Sequence, residues 1–246
     1  MHSKNYFFII IAAVCSAAIF LYGQYNQVTY LKGKVEVIDS SKAGADSIFD
    51  LEKNTSVLPK HVVATGKGSR MELRQNDVRW RLGSLSVGRW LSEKSFWLHS
   101  GSALFCSDTA GDFTFGTREA NATFSGRGTI IIEATANGGF KFIPLEAKGT
   151  ISTDSGDAQE VVGGRLLLVL GKPNRFGDAY DLDILLLLKS SRLVNAFPSP
   201  LPTFEKIGLA LYVQELKLKG RYDALIGDAT TNDNLQMWKF GQKPEK

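Results

Sequence analysis

The sequence has few of the residues on which metal and disulfide chemistry depend. Only two cysteines, Cys15 and Cys106, occur among the 246 residues, and the first lies in an N-terminal apolar run. We therefore expect no internal disulfide. The three histidines, His2, His61 and His99, are too scattered for the ligand spacing of a zinc site. The sequence thus predicts no metal-ligating residue.

Sequence patterns of catalysis are also missing. Residues 83–88 depart from the G-x-S-x-G spacing of a nucleophile elbow, and residues 126–128 lack the third glycine of a dinucleotide loop. Cys106 could serve as a nucleophile only beside a histidine, and a small buried core residue explains it better. We assign no catalytic or cofactor-binding residue and predict that the chain is not an enzyme. A hydrolase with an unrecognised site is the weakest alternative.

The charged residues form no long run of one sign. Lys and Arg number 29 and Asp and Glu number 25, which gives a net charge of +4, and the two signs are interspersed along the chain. Nucleic-acid binders usually cluster basic residues on one face or along one segment. An interspersed, mildly basic composition is typical of a soluble surface, so we predict no nucleic-acid partner.

One long apolar run occurs, Tyr6–Tyr22, and it contains no charged residue. Its length lies between that of a signal-peptide core and that of a minimal membrane span. Lys4 supplies a positive charge before it. We interpret residues 1–27 as a signal peptide or an N-terminal membrane anchor, with residues 6–22 as the only membrane contact. The body is then expected in the periplasm or outside the cell, in a bacterial envelope.

Proline is scarce and glycine abundant, with 7 and 24 residues, which fits short strands joined by tight turns. Val78, Trp80 and Leu82 alternate with Arg79 and Arg81, the period-two pattern of a strand with one buried face. Glycines punctuate the region at the spacing of a sandwich, barrel or solenoid. The sequence predicts an all-β domain over residues 28–173, either solenoid-like or a twisted β-sheet. Four glycines are expected at its turns: Gly66, Gly101, Gly128 and Gly164.

The pattern changes after Pro173, where two C-terminal helices are predicted within residues 174–226. Asp181 and Asp183 suit the first turn of the first helix. Thr203 would cap the second helix, and Gly220 would end it. Residues 227–246 are expected to form a loose polar tail. The apolar stripes of the two helices are Leu182, Leu185, Leu186 and Leu193, and then Phe204, Ile207, Leu211 and Leu218.

Several segments over residues 28–170 resemble, in order, the strands of a FecR-like domain. Residues 63–73 contain the T-G-x-x-S-R pattern of that family, and residues 122–129 contain its A-x-x-x-G-x-G-T stretch. Further resemblance lies in residues 28–37, 81–86, 98–105, 145–151 and 162–167. Residues 181–202 are similar to the helical tail of some short, secreted members.

The resemblance implies a β-rich, solenoid-like extracytoplasmic domain. The best-known members relay a signal from an outer-membrane receptor to a cytoplasmic sigma factor. Those regulators place a sigma-binding helical domain before the membrane segment, whereas five residues precede the apolar run here. We therefore expect the short exported or anchored type, without the cytoplasmic anti-sigma domain, and assign no sigma-factor regulation to this chain alone.

The function that the sequence favours is that of a non-catalytic binding or scaffolding module of the cell envelope, including signal sensing. Arg79 and Arg81 are expected to face outward and to contact an envelope protein. The alternative is a domain that binds polysaccharide or peptidoglycan, so a glycan is a second candidate ligand. Exposed aromatic side chains in a groove would favour that alternative.

Overall fold

A computed structural model of the chain describes residues 26–228 and 235–239. The predicted apolar run Tyr6–Tyr22, with Cys15, lies outside these residues. The described part consists mainly of strands, as the sequence predicted, and its helices follow the β region. None of the described helices is long and apolar enough to cross a membrane.

The elements occur in the following order. The strands before the helices are β1 (Asn26–Lys32), β2 (Val35–Asp39), β3 (Ile48–Asp50), β4 (Ser56–Val57), β5 (His61–Thr65), β6 (Arg70–Gln75), β7 (Val78–Leu82), β8 (Val87–Ser92), β9 (Ser95–Ser100), β10 (Ser102–Gly116), β11 (Asn121–Ala134), β12 (Phe140–Pro144), β13 (Lys148–Ser152), β14 (Ala158–Val161), β15 (Arg165–Leu170) and β16 (Arg175–Asp181). A 3₁₀ turn (Ala45–Ser47) precedes β3. The helices and the final hairpin are α1 (Ile184–Ser190), α2 (Arg192–Asn195), α3 (Phe204–Leu218), β17 (Ala224–Asp228) and β18 (Leu235–Lys239).

Strands β1 to β16 form one sheet that folds into two layers. The first layer has the order β4-β1-β6-β7-β10-β11-β12-β15-β16, and the second has the order β3-β2-β5-β8-β9-β10-β11-β13-β14. Nearly all pairs are antiparallel; β9 and β10 pair in parallel. Of the two predicted forms, the chain adopts the twisted sheet.

The long hairpin β10–β11 belongs to both layers. The first half of β10 pairs with β7 and its last residues pair with β9, while β11 pairs first with β13 and then with β12. The register of the hairpin shifts between Ser107 and Gly111, where the strands pass from one layer to the other. Gly128 lies opposite Ser107 with φ +128°, and a Cβ there would lie 2.5 Å from the Cα of Ala147. The prediction of a turn at Gly128 was wrong, because this glycine serves the bend of a strand.

An aromatic core fills the space between the layers. The Trp80 ring of β7 lies 5.9 Å from the Trp90 ring and 4.6 Å from the Phe96 ring, which belong to strands of the other layer. Phe105 and Phe115 of β10 also pack against Trp80. Such edge-on and tilted ring pairs add to the stabilisation that burial of their large apolar area provides.

The outer face of the first layer carries a second apolar core beneath the helices. Strand residues Leu104, Ile131 and Ile143 alternate with the inward-facing aromatics and contact the helical segment. The residues that cover them include Leu187 of α1, Leu193 of α2, Leu201, Ile207 of α3, and Ala224 and Ile226 of β17. The molecule therefore has helices on one outer face and strand side chains on the other.

The first predicted helix is shorter than expected. Asp181 ends strand β16, which pairs with β15, and Asp183 caps α1 by accepting a hydrogen bond from the Leu186 amide at 3.0 Å. Ser191 adopts an extended conformation and separates α1 from α2. Of the predicted stripe, Leu182 and Leu193 are buried, whereas Leu185 is exposed. The prediction was wrong at Leu185 because α1 packs through Ile184 and Leu187, which leaves Leu185 on the solvent side.

The second helix agrees with its predicted ends and only partly with its predicted packing. It spans Phe204–Leu218, and Lys219 at φ +50° and Gly220 follow it. Of the predicted stripe, Ile207 is buried and Phe204 is exposed, so the stripe packs only partly against the rest of the chain. The predicted helical region also contains strands β16 and β17, and part of the expected loose tail forms strand β18, which pairs with β17.

Candidate interaction site

The predicted outward-facing arginines lie on the outer face of the first layer, opposite Trp80. Arg81 pairs in register with Glu72 of β6, and its Nε donates to Glu72 Oε2 at 2.9 Å. Arg79 Nη1 lies 3.8 Å from the same carboxylate oxygen. The alternation that the sequence predicted for β7 is confirmed, since Trp80 and Leu82 enter the aromatic core.

The C-terminal segment of the same chain covers these arginines. Arg81 donates to the carbonyl oxygens of Leu193 and Val194 at 3.0 Å each and to that of Ser199 at 2.5 Å. Its guanidinium lies 4.3 Å from the centre of the Phe197 ring, and Arg79 donates to the Pro200 carbonyl at 2.7 Å. The prediction that both arginines face a partner was wrong, because their donors satisfy backbone carbonyls of residues 193–200.

This contact fixes the helical segment to the sheet. The Arg81 side chain has no exposed surface, and its partner Glu72 is also buried. Burial lowers the pKa of Arg81, an effect that the neighbouring Glu72 carboxylate opposes. A buried charge needs a partner and full hydrogen bonding, and Arg81 has both.

A second polar cluster lies where α3 begins. The Oγ1 atoms of Thr129 and Thr203 lie 2.5 Å apart, and Cys106 Sγ lies 3.6 Å from Thr203 Oγ1. Thr129 also donates to Glu146 Oε1 at 3.3 Å. The prediction that Cys106 is a small buried core residue is confirmed, since it has no exposed surface.

Burial disfavours the charged forms of the two ionisable side chains in this cluster. Burial raises the pKa of the Cys106 thiol, so the thiolate that a nucleophile requires is disfavoured. Burial likewise raises the pKa of the Glu146 carboxyl. His99, the histidine nearest to Cys106 in the sequence, is exposed and packs against Trp97. Within the described part of the chain, no group of three or more His, Cys, Asp or Glu side chains is placed to hold a metal ion.

The exposed apolar side chains of α3 lie opposite its packed face. Ile207 and Gln214 are buried, and Gln214 Nε2 donates to the Leu182 carbonyl at 2.7 Å. The outer face carries Leu209, Tyr212, Val213 and Leu216, which are 40–64% exposed. A helix that is apolar on two opposite faces is normally covered on both. The outer face of α3 is therefore more apolar than the helix faces that are normally exposed to solvent.

The outer residues form a stripe with opposite charges at its ends. Glu205, Leu209, Tyr212 and Leu216 follow the spacing i, i+4, i+7 and i+11 of a single helix face, and Lys219 directly follows the C-terminal end of the helix. Glu205 and Lys219 are both exposed. We call these five residues, together with Val213, the outer stripe of α3. The stripe is acidic at its N-terminal end, apolar in the middle and basic at its C-terminal end.

Comparison with known proteins gives limited similarity. No protein-family model and no curated protein matches this chain. Two crystal structures of a candidate anti-sigma factor from Parabacteroides distasonis are similar to it, each with a TM-score of 0.41 and 10% sequence identity. Each alignment covers 73% of this chain and 99% of the other chain. The resemblance to FecR-like domains therefore stays a prediction from the sequence.

Proposed function

We propose that the chain is a non-catalytic protein-binding module of the cell envelope, related to FecR-like domains and acting in signalling. The observation that carries this proposal is the outer stripe of α3. Its four apolar side chains are exposed together on the face of α3 opposite the buried Ile207. Exposed apolar patches of this kind mark surfaces where another protein binds.

The charges at the ends of the stripe define the partner that would fit. An amphipathic helix of another envelope protein, running antiparallel to α3, would place an acidic end beside Lys219 and a basic end beside Glu205. Antiparallel packing would also bring opposite ends of the two helix dipoles together. Helix binding through a line of apolar anchors is a recurring mode of recognition.

The test uses a photo-reactive amino acid at Tyr212 of the full chain in its native cells. We expect one partner to be crosslinked from Tyr212 and none from the same group at Lys148, on β13 of the other layer. In the purified complex, Leu209→Asp should weaken binding more than tenfold, and Glu205→Lys should weaken it less. Crosslinking only to a second copy of the chain, or none at all, would overturn the proposed partner.

Location is tested separately from binding. The apolar run Tyr6–Tyr22 supports export, so an alkaline phosphatase fused after Gln27 should be active in a bacterial host. A fusion with Lys residues in place of Ile10 and Ile11 should remain inactive, because charges interrupt the apolar run. An inactive fusion with the unchanged sequence would contradict the envelope location.

A further inference from the structure

A cleft of about 470 Å³ opens on the outer face of the second layer, on the opposite side of the molecule from α3. The start of β9, the end of β10 and the start of β11 form its floor, and the loops before β14 and β16 form one wall. Its volume lies in the range of small-molecule binding sites. The side chains that line it belong to neither the arginine contact nor the cluster at the start of α3.

One side of the cleft is an indole ring. Trp97 points away from the core, because its strand neighbours Phe96 and Leu98 are buried and it is only half-buried. The ring rests on Gly116 of β10, where an added Cβ would lie 3.0 Å from Trp97 Cδ1. Gly116 thus lets the ring lie against the backbone, and the remaining ring surface is open to the cleft. The His99 ring, 5.8 Å away, supports its edge.

The facing wall is a fixed group of amides and one carboxylate. Asn121 Nδ2 donates to Asp154 Oδ2 at 3.1 Å, and Asn174 Nδ2 donates to Asp154 Oδ1 and to the Asn121 carbonyl. These hydrogen bonds lower the pKa of the Asp154 carboxyl, so it is an anion at neutral pH. Asn121 and Asn174 therefore hold the Asp154 carboxylate in a fixed position at the wall of the cleft.

The rim carries charges that cancel. Glu119 pairs with Lys172 at 2.6 Å and with Arg118 at 3.4 Å. With Asp154 included, the cleft has two cations and two anions. A phosphate or other strongly anionic ligand would need an excess of positive charge, which this site does not have.

From this geometry we infer that the cleft binds a pyranose ring of an uncharged glycan. A pyranose has one face of C–H bonds, which can stack on the Trp97 ring, and hydroxyl groups around its edge. Those hydroxyls can donate to Asp154 and accept from Lys172 or Arg118. Because the cleft is open at its rim, the ring can belong to a longer chain. This inference does not depend on the proposed protein partner of α3.

The test is a titration of the full chain, labelled at its tryptophan side chains, with cellotetraose and with the tetrasaccharide of N-acetylglucosamine. Loss of one indole N–H signal in Trp97→Phe assigns the Trp97 signal. We expect one of the two sugars to shift that signal with a dissociation constant of about 1 mM or lower. The sugar that binds then tells whether the site takes N-acetylated or unsubstituted pyranoses.

Two variants and a control separate binding from folding. By isothermal titration calorimetry, which does not depend on the Trp97 signal, Trp97→Ala and Asn174→Ala should each weaken sugar binding at least tenfold. The signals of the buried Trp80 and Trp90 should stay in place. Leu209→Asp, on the far side of the molecule, should bind sugar normally. Absence of a shift with both sugars at about 10 mM would overturn the inference, since weaker binding lies outside the range of a specific site. Unchanged affinity in Trp97→Ala would also overturn it.

Discussion

Arg81 Nε lies 2.9 Å from Glu72 Oε2 in register across β6 and β7, and the Arg81 side chain is completely buried. The same guanidinium holds three carbonyl oxygens of the segment that follows α1. One side chain thus links two strands of the sheet to the segment that connects the helices. Removing its charge partner should have a large effect on stability.

The first prediction concerns this pair. Glu72→Ala should lower the free energy of unfolding by about 3–5 kcal/mol, because it leaves the Arg81 charge buried without its anion. Glu36→Ala is the matched control, since Glu36 forms an exposed ion pair with Lys34 at 2.7 Å. The control should cost less than about 1 kcal/mol. Chemical denaturation measures the free energy of unfolding of both variants. Equal losses of stability would show that the buried Arg81–Glu72 pair contributes no more than an exposed ion pair.

The second prediction concerns the dependence of stability on pH. Burial raises the pKa of Glu146 in the folded chain above its ordinary value of 4.5. As the pH rises, the Glu146 carboxyl therefore loses its proton in the unfolded chain before it does so in the folded chain. The stability that protonated Glu146 contributes is lost between pH 4.5 and the raised pKa. Glu146→Gln should remove this part of the pH dependence.

A residue with the opposite shift provides the control for Glu146. The hydrogen bond from Lys172 lowers the pKa of Glu119, so the stability that Glu119 contributes is lost as the pH falls. Glu119→Gln should therefore change the acid side of the stability profile. Denaturation at a series of pH values gives both profiles. If Glu146→Gln and the unchanged chain keep a constant difference above pH 4.5, the Glu146 prediction fails.

The third prediction compares the two faces of α3. Ile207→Ala should destabilise the chain by about 2–5 kcal/mol, because it leaves a cavity between the helix and the sheet. Leu209→Ala, on the outer stripe, should change stability by less than about 0.5 kcal/mol. Limited proteolysis should cut α3 faster in the Ile207 variant only. Faster cleavage in the Leu209 variant would mean that the outer stripe packs against the rest of the chain.

The fourth prediction concerns Cys106. Its thiol is buried and its pKa is raised, so a thiol reagent should not modify it in the folded chain at neutral pH. The experiment uses the Cys15→Ser variant, in which Cys106 is the remaining thiol. Addition of denaturant should expose one reactive thiol per chain. Rapid modification without denaturant would show that the cluster at the start of α3 opens to solvent.

The alternation of apolar and polar residues predicted the strand faces but not what covers them. In β7 it correctly placed Trp80 in the core and the arginines on the opposite face. It could not show that residues 193–200 lie on that face, because a period-two pattern describes one strand and not its distant contacts. The pairing of Glu72 with Arg81 depends on the register of β6 and β7. Opposite charges on facing residues stabilise a strand pair, so the charges of Glu72 and Arg81 could have predicted this register.

The helix predictions failed where the same residues are compatible with either of two local structures. Asp181 suits a helix start, but pairing of β16 with β15 extends the strand to that residue. In α3 the apolar residues form two stripes, and the sequence does not tell which one packs against the sheet. The polar residue Gln214 lies on the packed face because its amide reaches the Leu182 carbonyl. The Trp97 cleft was also missed, since its wall combines β11 with two loops that are distant in the chain.

The shared hairpin β10–β11 has a consequence for how the chain folds. Each layer depends on one half of the hairpin for its central hydrogen bonds, so neither layer has a continuous ladder until the hairpin has formed. The hairpin itself joins residues close in sequence, and its closure costs little chain entropy compared with the pairing of more distant strands. It is therefore the natural nucleus on which both layers assemble, and it binds them into one cooperative unit.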